Sequence, residues 1–183
     1  LLAATQPELL ETDRCDLWDS GWRESDRSIN VPYEGKTLGT NQHVYWTVMV
    51  RTNVDSAESI AARPAEFRMG MLHPEDWHGK WIGTDQVFVR RQGWPPPDNT
   101  MPDPWLRKTF RLDSTPTEAI IHVASIGYHE LYVNGHKVDD TVLAPCVSDH
   151  THRARYVTYD ISKLLKEGDN VIAVWLGTSW SIF

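Results

Sequence analysis

Cysteine is scarce, with only Cys15 and Cys146 in 183 residues. They form neither a CxxC metal pattern nor a dense disulfide framework, so a zinc ribbon and a disulfide-stapled mini-domain are both excluded, and the compartment stays undecided. Long apolar runs are missing too: no stretch approaches the roughly 20 apolar residues that a membrane-crossing helix needs. Leu1-Leu2-Ala3-Ala4 has neither the charged start nor the length of a signal peptide. Basic runs are also absent. With 18 Lys+Arg against 25 Asp+Glu, the formal net charge is −7, which leaves no electrostatic footprint for nucleic acid or an anionic membrane surface. No internal repeat, Gly-rich phosphate loop or Ser-His-Asp arrangement stands out.

What is abundant is tryptophan, nine in all, in a text of short β-forming stretches. Residues 43–50 alternate β-formers with polar or smaller side chains and read as one strand. Shorter candidates lie at 28–31 and 65–69, between turn-rich segments such as Pro32-Tyr33-Glu34-Gly35-Lys36. Gly and Pro then interrupt the pattern at residues 70–80, as they do at a linker. The chain therefore reads as two domains, 1–78 and 79–183. In the second, strands are expected at 105–112, 118–124, 128–133, 136–138, 155–159 and 170–176, after the Pro95-Pro96-Pro97 run, which cannot donate ladder hydrogen bonds. Residues 160–170 form the one convincing helical turn, with Asp160 or Ser162 as its cap and Gly168 as its end. Many short strands with one short helix favour a sandwich or jelly roll over a parallel α/β layout.

Asn134-Gly135 carries the strongest short hairpin signal, because both central positions of the turn need positive φ. Turn chemistry explains the pair with no ligand. A role at a ligand edge is the less favoured reading. Trp46, Trp81 and Trp175 sit in apolar strand contexts and read as core. Trp94, Trp105 and Trp180 fall in loops or at strand ends, where an aromatic face can stack on a sugar ring.

The text resembles the N-terminal region of bacterial α-L-rhamnosidases of glycoside hydrolase family 78. The resemblance is carried by Leu17-Trp-Asp-Ser-Gly21, Val31-Pro-Tyr-Glu-Gly-Lys36, Val44-Tyr-Trp46, Lys80-Trp-Ile-Gly83, Leu106-Arg-Lys-Thr-Phe110, Ala124-Ser-Ile-Gly-Tyr-His-Glu-Leu-Tyr-Val-Asn-Gly135 and Leu164-Leu-Lys-Glu-Gly-Asp-Asn170. It implies an all-β chain: a partial fibronectin III-like sandwich over 1–78, then the rhamnosidase N-terminal jelly roll, a galactose-binding-like sandwich, over 79–183. Each would lack a strand, since the chain reads as a segment of something longer, so an exposed edge, an open core and aggregation or a missing partner chain are expected. Where the family has Pro-Gly-Trp-Thr-Asp-Tyr, this chain has Pro145-Cys-Val-Ser-Asp149-His150. Its Gly-Asp-Gly-Trp-Tyr appears as Gly177-Thr-Ser-Trp180-Ser181.

The resemblance also implies an inverting hydrolysis performed elsewhere, in a downstream (α/α)6 catalytic domain, with terminal α-L-rhamnosyl residues as substrate. Inversion needs two carboxyl groups about 6.5–9.5 Å apart. The sequence neighbours Asp139-Asp140 and Glu75-Asp76 point to opposite faces of a strand and are read as solvated turn charges, so no catalytic residue is assigned here. The expected partners are a rhamnose-containing glycan and the catalytic domain. Trp94, Trp105, Trp180 and Asn134 are the candidate carbohydrate contacts. Some family jelly rolls bind rhamnose with calcium, for which Asp139 and Asp140 are the available oxygen donors, so Ca2+ is the one cofactor considered. A metal set at Asp149, His150 and His152 is weighed and set aside for want of a third open-site ligand. The alternatives are a stand-alone rhamnose-binding module with calcium, or a fibronectin-type interaction fragment.

Overall fold

The computed structural model describes residues 1–51, 59–84 and 103–177. Over these the chain is all-β, built from antiparallel strands and short 3-10 turns. It separates into two compact units, Leu1–Lys80 and Trp81–Phe183.

In the first unit, strands β1 (Leu2–Ala4), β2 (Trp18–Asp19), β3 (His43–Thr47) and β6 (Ala65–Arg68) form one sheet in the order β2-β1-β3-β6. The run expected as a single strand over 43–50 divides at Val48. Its first part pairs with β1 and β6, while β4 (Met49–Val50) pairs with β5 (Ile60–Ala61) in a separate two-stranded sheet. Val44 is fully buried against Ala3 and Leu17, with Trp18 and Leu38 packed around them, a burial worth about 1.5–3 kcal/mol for the valine. Gly35 lies so close to Trp18 that a Cβ there would stand 2.5 Å from the Trp18 Cβ and 2.6 Å from the Leu17 carbonyl oxygen.

Two further expectations fail in this unit. No strand forms at 28–31: Asn30 takes φ 54, which breaks extended backbone, and Ile29 and Val31 are exposed. Trp46 is 37% exposed rather than core, and Phe67, on the Val44 row, is 40% exposed, so the apolar face of β3 is only partly covered.

The second unit is a sandwich. One sheet has the order β10-β9-β12-β7, from β7 (Trp105–Leu112), β9 (Tyr128–Val133), β10 (His136–Lys137) and β12 (Gly168–Gly177). The other pairs β8 (Ile120–Ala124) with β11 (Tyr156–Asp160). Alternation decides the faces. Along β9, His129, Leu131 and Val133 are buried while Tyr128, Glu130 and Tyr132 are half-buried. The inward residues of both sheets meet in a core centred on Leu131, Val133, Tyr159, Ile161 and Leu165, flanked by Phe110, Ile121, Val123, Ile172 and Val174.

The helix expected over 160–170 shrinks to a 3-10 turn at Ser162–Leu164. Gly168, expected to end it, instead opens β12 with φ 86. Asp160 does act locally, its Oδ1 accepting from the Ser162 N–H at 2.9 Å and the Ser162 hydroxyl at 2.5 Å. Beyond the turn, the Asn170 side chain takes over the backbone groups that a longer helix would have used.

Candidate functional site

The outward face of the β9-β12-β7 sheet gathers aromatic and charged side chains in two adjacent rows. Antiparallel register places Trp105, Trp175 and Glu130 in one row and Arg107, Ala173, Tyr132 and Lys137 in the next. The Trp105 and Trp175 rings stack with centroids 4.8 Å apart and planes 17° apart. Trp105 also approaches Tyr132, at 5.5 Å, across Ala173, whose methyl group is too small to hold the rings apart. Beside them the Glu130 carboxylate accepts from the Tyr132 hydroxyl at 2.6 Å and from Lys137 Nζ at 2.8 Å. The Lys137 hydrogen bond, ahead of that from Tyr132, holds the Glu130 carboxyl below its ordinary range, and it raises Lys137 in turn.

Of the sequence candidates, Trp105 lies on this face and is 57% exposed. Trp175, expected in the core, stands beside it at 39% exposure, because its position in β12 alternates outward from Val174. Trp81, also expected in the core, is 66% exposed. Trp94 and Trp180 lie outside the described residues.

Asn134 occupies the hairpin turn with φ 51, followed by Gly135 at φ 86, the pairing that a two-residue turn between β9 and β10 requires. Its side chain is turned toward the fold: Oδ1 accepts from the Val171 N–H at 2.9 Å, and Nδ2 donates to the Leu164 carbonyl and to Asn170 Oδ1, each at 2.8 Å. Asp139 is half-buried and accepts from the Thr141 N–H at 3.2 Å and the Thr141 hydroxyl at 2.7 Å, while Asp140 is exposed. Asp149 accepts from Thr151 in the same manner, and this keeps its carboxyl below the usual range. His152 stands 3.7 Å from Asp149. Among the described residues no group of three His, Cys, Asp or Glu side chains is placed to hold a metal ion.

One polar arrangement has no counterpart in the sequence reading. Ser125, His129 and Tyr159 are 4%, 3% and 5% exposed. His129 Nδ1 lies 2.8 Å from Ser125 Oγ and Nε2 lies 2.9 Å from the Tyr159 hydroxyl, while Ser125 Oγ donates to the Gly127 carbonyl at 3.0 Å. The serine has one proton, spent on Gly127, so Nδ1–H donates to Ser125 and the neutral Nε2 accepts from Tyr159. This assignment uses every polar atom of the chain. It also commits the serine to a buried carbonyl, which is a structural task rather than that of an activated nucleophile. The signal in the sequence was only a histidine on the inward face of an alternating strand.

Two carboxylates elsewhere are also engaged by hydrogen bonds. Asp76 accepts from the Thr40 hydroxyl and, at 3.0 Å, from the His73 N–H, and the Thr40 bond foremost keeps its carboxyl low. Glu130 is held ionised by its ion pair. A general acid needs the opposite, a carboxyl raised by burial or by a neighbouring negative charge.

Two antiparallel β-rich units of this kind, the second a sandwich with aromatic side chains on an outer sheet face, define a class of β-domain pair. The comparisons with known proteins name the kind of protein in which the pair occurs. Residues 3–73 match the family model described as the Rha78A-like N-terminal immunoglobulin domain, and residues 114–182 match that of the alpha-L-rhamnosidase N-terminal domain. The chain resembles the N-terminal region of alpha-L-rhamnosidases. A Formosa agariphila protein of that name is 32% identical over 184 residues, covering 98% of this chain and 19% of its own length. A second from the same organism is 31% identical, covering 98% and 20%. Among solved structures, alpha-L-rhamnosidase from Dictyoglumus thermophilum superposes with a TM-score of 0.83 at 28% identity, covering 98% of this chain and 20% of that one. The Aspergillus terreus enzyme gives 0.76 at 26% identity, covering 90% and 19%. The chain thus spans about a fifth of the length of these relatives.

Proposed function

We propose that these residues form a non-catalytic N-terminal accessory region of an inverting α-L-rhamnosidase, which packs beside the catalytic domain and helps present rhamnose-containing glycans to it. The observation that carries this reading is the coverage: nearly the whole chain aligns with only about a fifth of proteins named alpha-L-rhamnosidase. The side chains support it. The carboxylates Asp76, Glu130 and Asp149 are each bonded to neighbours that favour the ionised state, and Asp139 is tied to Thr141 in a turn. Carboxylates so engaged build structure; proton transfer to a leaving group needs one that is free to change charge.

A second reading treats the chain as a rhamnose-binding module with calcium. The calcium part has less support, since among the described residues no group of three His, Cys, Asp or Glu side chains is placed to hold a metal ion, and Asp139 and Asp140 are not joined by a third. Titration calorimetry of the chain with L-rhamnose, in calcium and then in chelator, separates the readings. Weak millimolar binding that is unchanged by chelator is expected. Binding lost in chelator would favour the calcium module, and no heat at millimolar sugar would reduce the chain to a spacer.

A further inference from the structure

The exposed tryptophan pair needs an explanation that the core does not supply. Trp105 and Trp175 keep 57% and 39% of their surface in water, although burying such rings is among the larger apolar gains open to a fold. Their position is fixed: Trp175 supports Trp105 from one side at 4.8 Å and Tyr132 meets it at 5.5 Å. A ring already held in place loses little rotamer freedom when a ligand lands on it. Three charged side chains, Glu130, Lys137 and Arg107, share the two rows with the rings.

The mixture of rings and charges decides the ligand class. The centre of a protein–protein contact is depleted of charged residues, because desolvating them is costly. Here an ion pair of 2.8 Å sits immediately beside the aromatic rings. A saccharide suits that combination, since its C–H ring face is apolar while its hydroxyls both donate and accept around the rim. The Glu130 carboxylate accepts two hydrogen bonds from the protein, and a carboxylate has about four acceptor sites. Lys137 Nζ has further donors beyond the one spent on Glu130, and Arg107 is exposed on the same face.

We propose that the outer face of the β9-β12-β7 sheet is a glycan platform, on which the Trp105 ring carries the apolar face of one pyranose while Glu130, Lys137 and Arg107 hydrogen-bond its hydroxyls. The proposal rests on the reading of this chain as a recognition region and gives that recognition a place. It differs from a loop-borne site, because every contributing residue is in a strand and its spacing is set by sheet register.

Affinity electrophoresis of the whole chain through gels containing rhamnogalacturonan, with an unmodified gel as reference, tests it. The wild-type chain is expected to be retarded. Trp105→Ala should weaken binding about tenfold, the size of one lost aromatic contact, and lower the thermal midpoint by only the few degrees that the lost stacking on Trp175 and Tyr132 entails, leaving the chain folded at the assay temperature. Arg107→Ala, at an exposed position of β7, should weaken binding by a smaller factor. If the wild type is retarded and both variants migrate with it, the platform is overturned while the recognition reading stands. If the wild type is not retarded at all, both fall. If Trp105→Ala leaves glycan retardation intact but abolishes association of the chain with a rhamnosidase catalytic domain, the face is a protein interface and the proposal is wrong.

Discussion

Asn170→Ala is expected to destabilise the second unit by roughly 3 kcal/mol, at the upper end of single-site effects. Asn170 is 0% exposed and spends its full capacity inside the fold. Oδ1 accepts from the Lys166 N–H at 3.0 Å and from Asn134 Nδ2 at 2.8 Å; Nδ2 donates to the Lys166 and Gly168 carbonyls at 2.7 and 2.9 Å. Truncation strands buried partners on both sides. Asn170→Asp should be worse than alanine, because the new oxygen would face two carbonyls that the amide now satisfies. Asn134→Gly isolates the side chain's share, since glycine keeps φ 51 without strain. It should cost about 1–2 kcal/mol, for the three bonds to Leu164, Asn170 and Val171. Urea unfolding midpoints order the variants. Equal stability for Asn170→Asp and Asn170→Ala would contradict the geometry.

Stability should also fall as pH drops below about 6.5, through His129. Burial holds this imidazole below its ordinary 6.5, with Asp139 opposing only in part, and both ring nitrogens are committed in the neutral tautomer. The unfolded chain therefore binds a proton before the folded one does. Stability is full above 6.5 and declines as pH falls toward the folded value, by at most about 1.4 kcal/mol per pH unit for one group. Tyr159 gives the opposite limb. Burial, with Asp139 adding to it, pushes its hydroxyl from 10 to about 12, so its contribution is complete below pH 10 and is lost as pH rises through that interval. Chemical denaturation at pH 5 to 8 checks the acid limb. His129→Gln should be less stable throughout and nearly flat across that range, whereas an undiminished acid decline in the variant would assign the effect to other groups.

Strand positions were largely legible because period-2 alternation is local: 105–112 and 128–133 coincide with β7 and β9. The Asn134-Gly135 turn was legible for the same reason, its positive φ demand being written in two residue types. The task of the Asn134 side chain was not, because its partner Asn170 lies 36 positions away and no local pattern links them. Trp175 was misplaced because residues 171–176 form an almost continuous apolar run, in which periodicity cannot say which side faces water. The pairing with Trp105 and Glu130 decides that. The helix over 160–170 was overcalled from Gly168 and a capping residue. Tertiary bonds from Asn170 replaced the helical ones.

The measurement that bears most directly on a binding and scaffolding role is product analysis after prolonged incubation of the purified chain with an aryl α-L-rhamnoside. Intact substrate is the expected result, at any pH from 4 to 8. Release of rhamnose that a single substitution, of Glu130 or Asp139 for example, abolishes without unfolding the chain would contradict it.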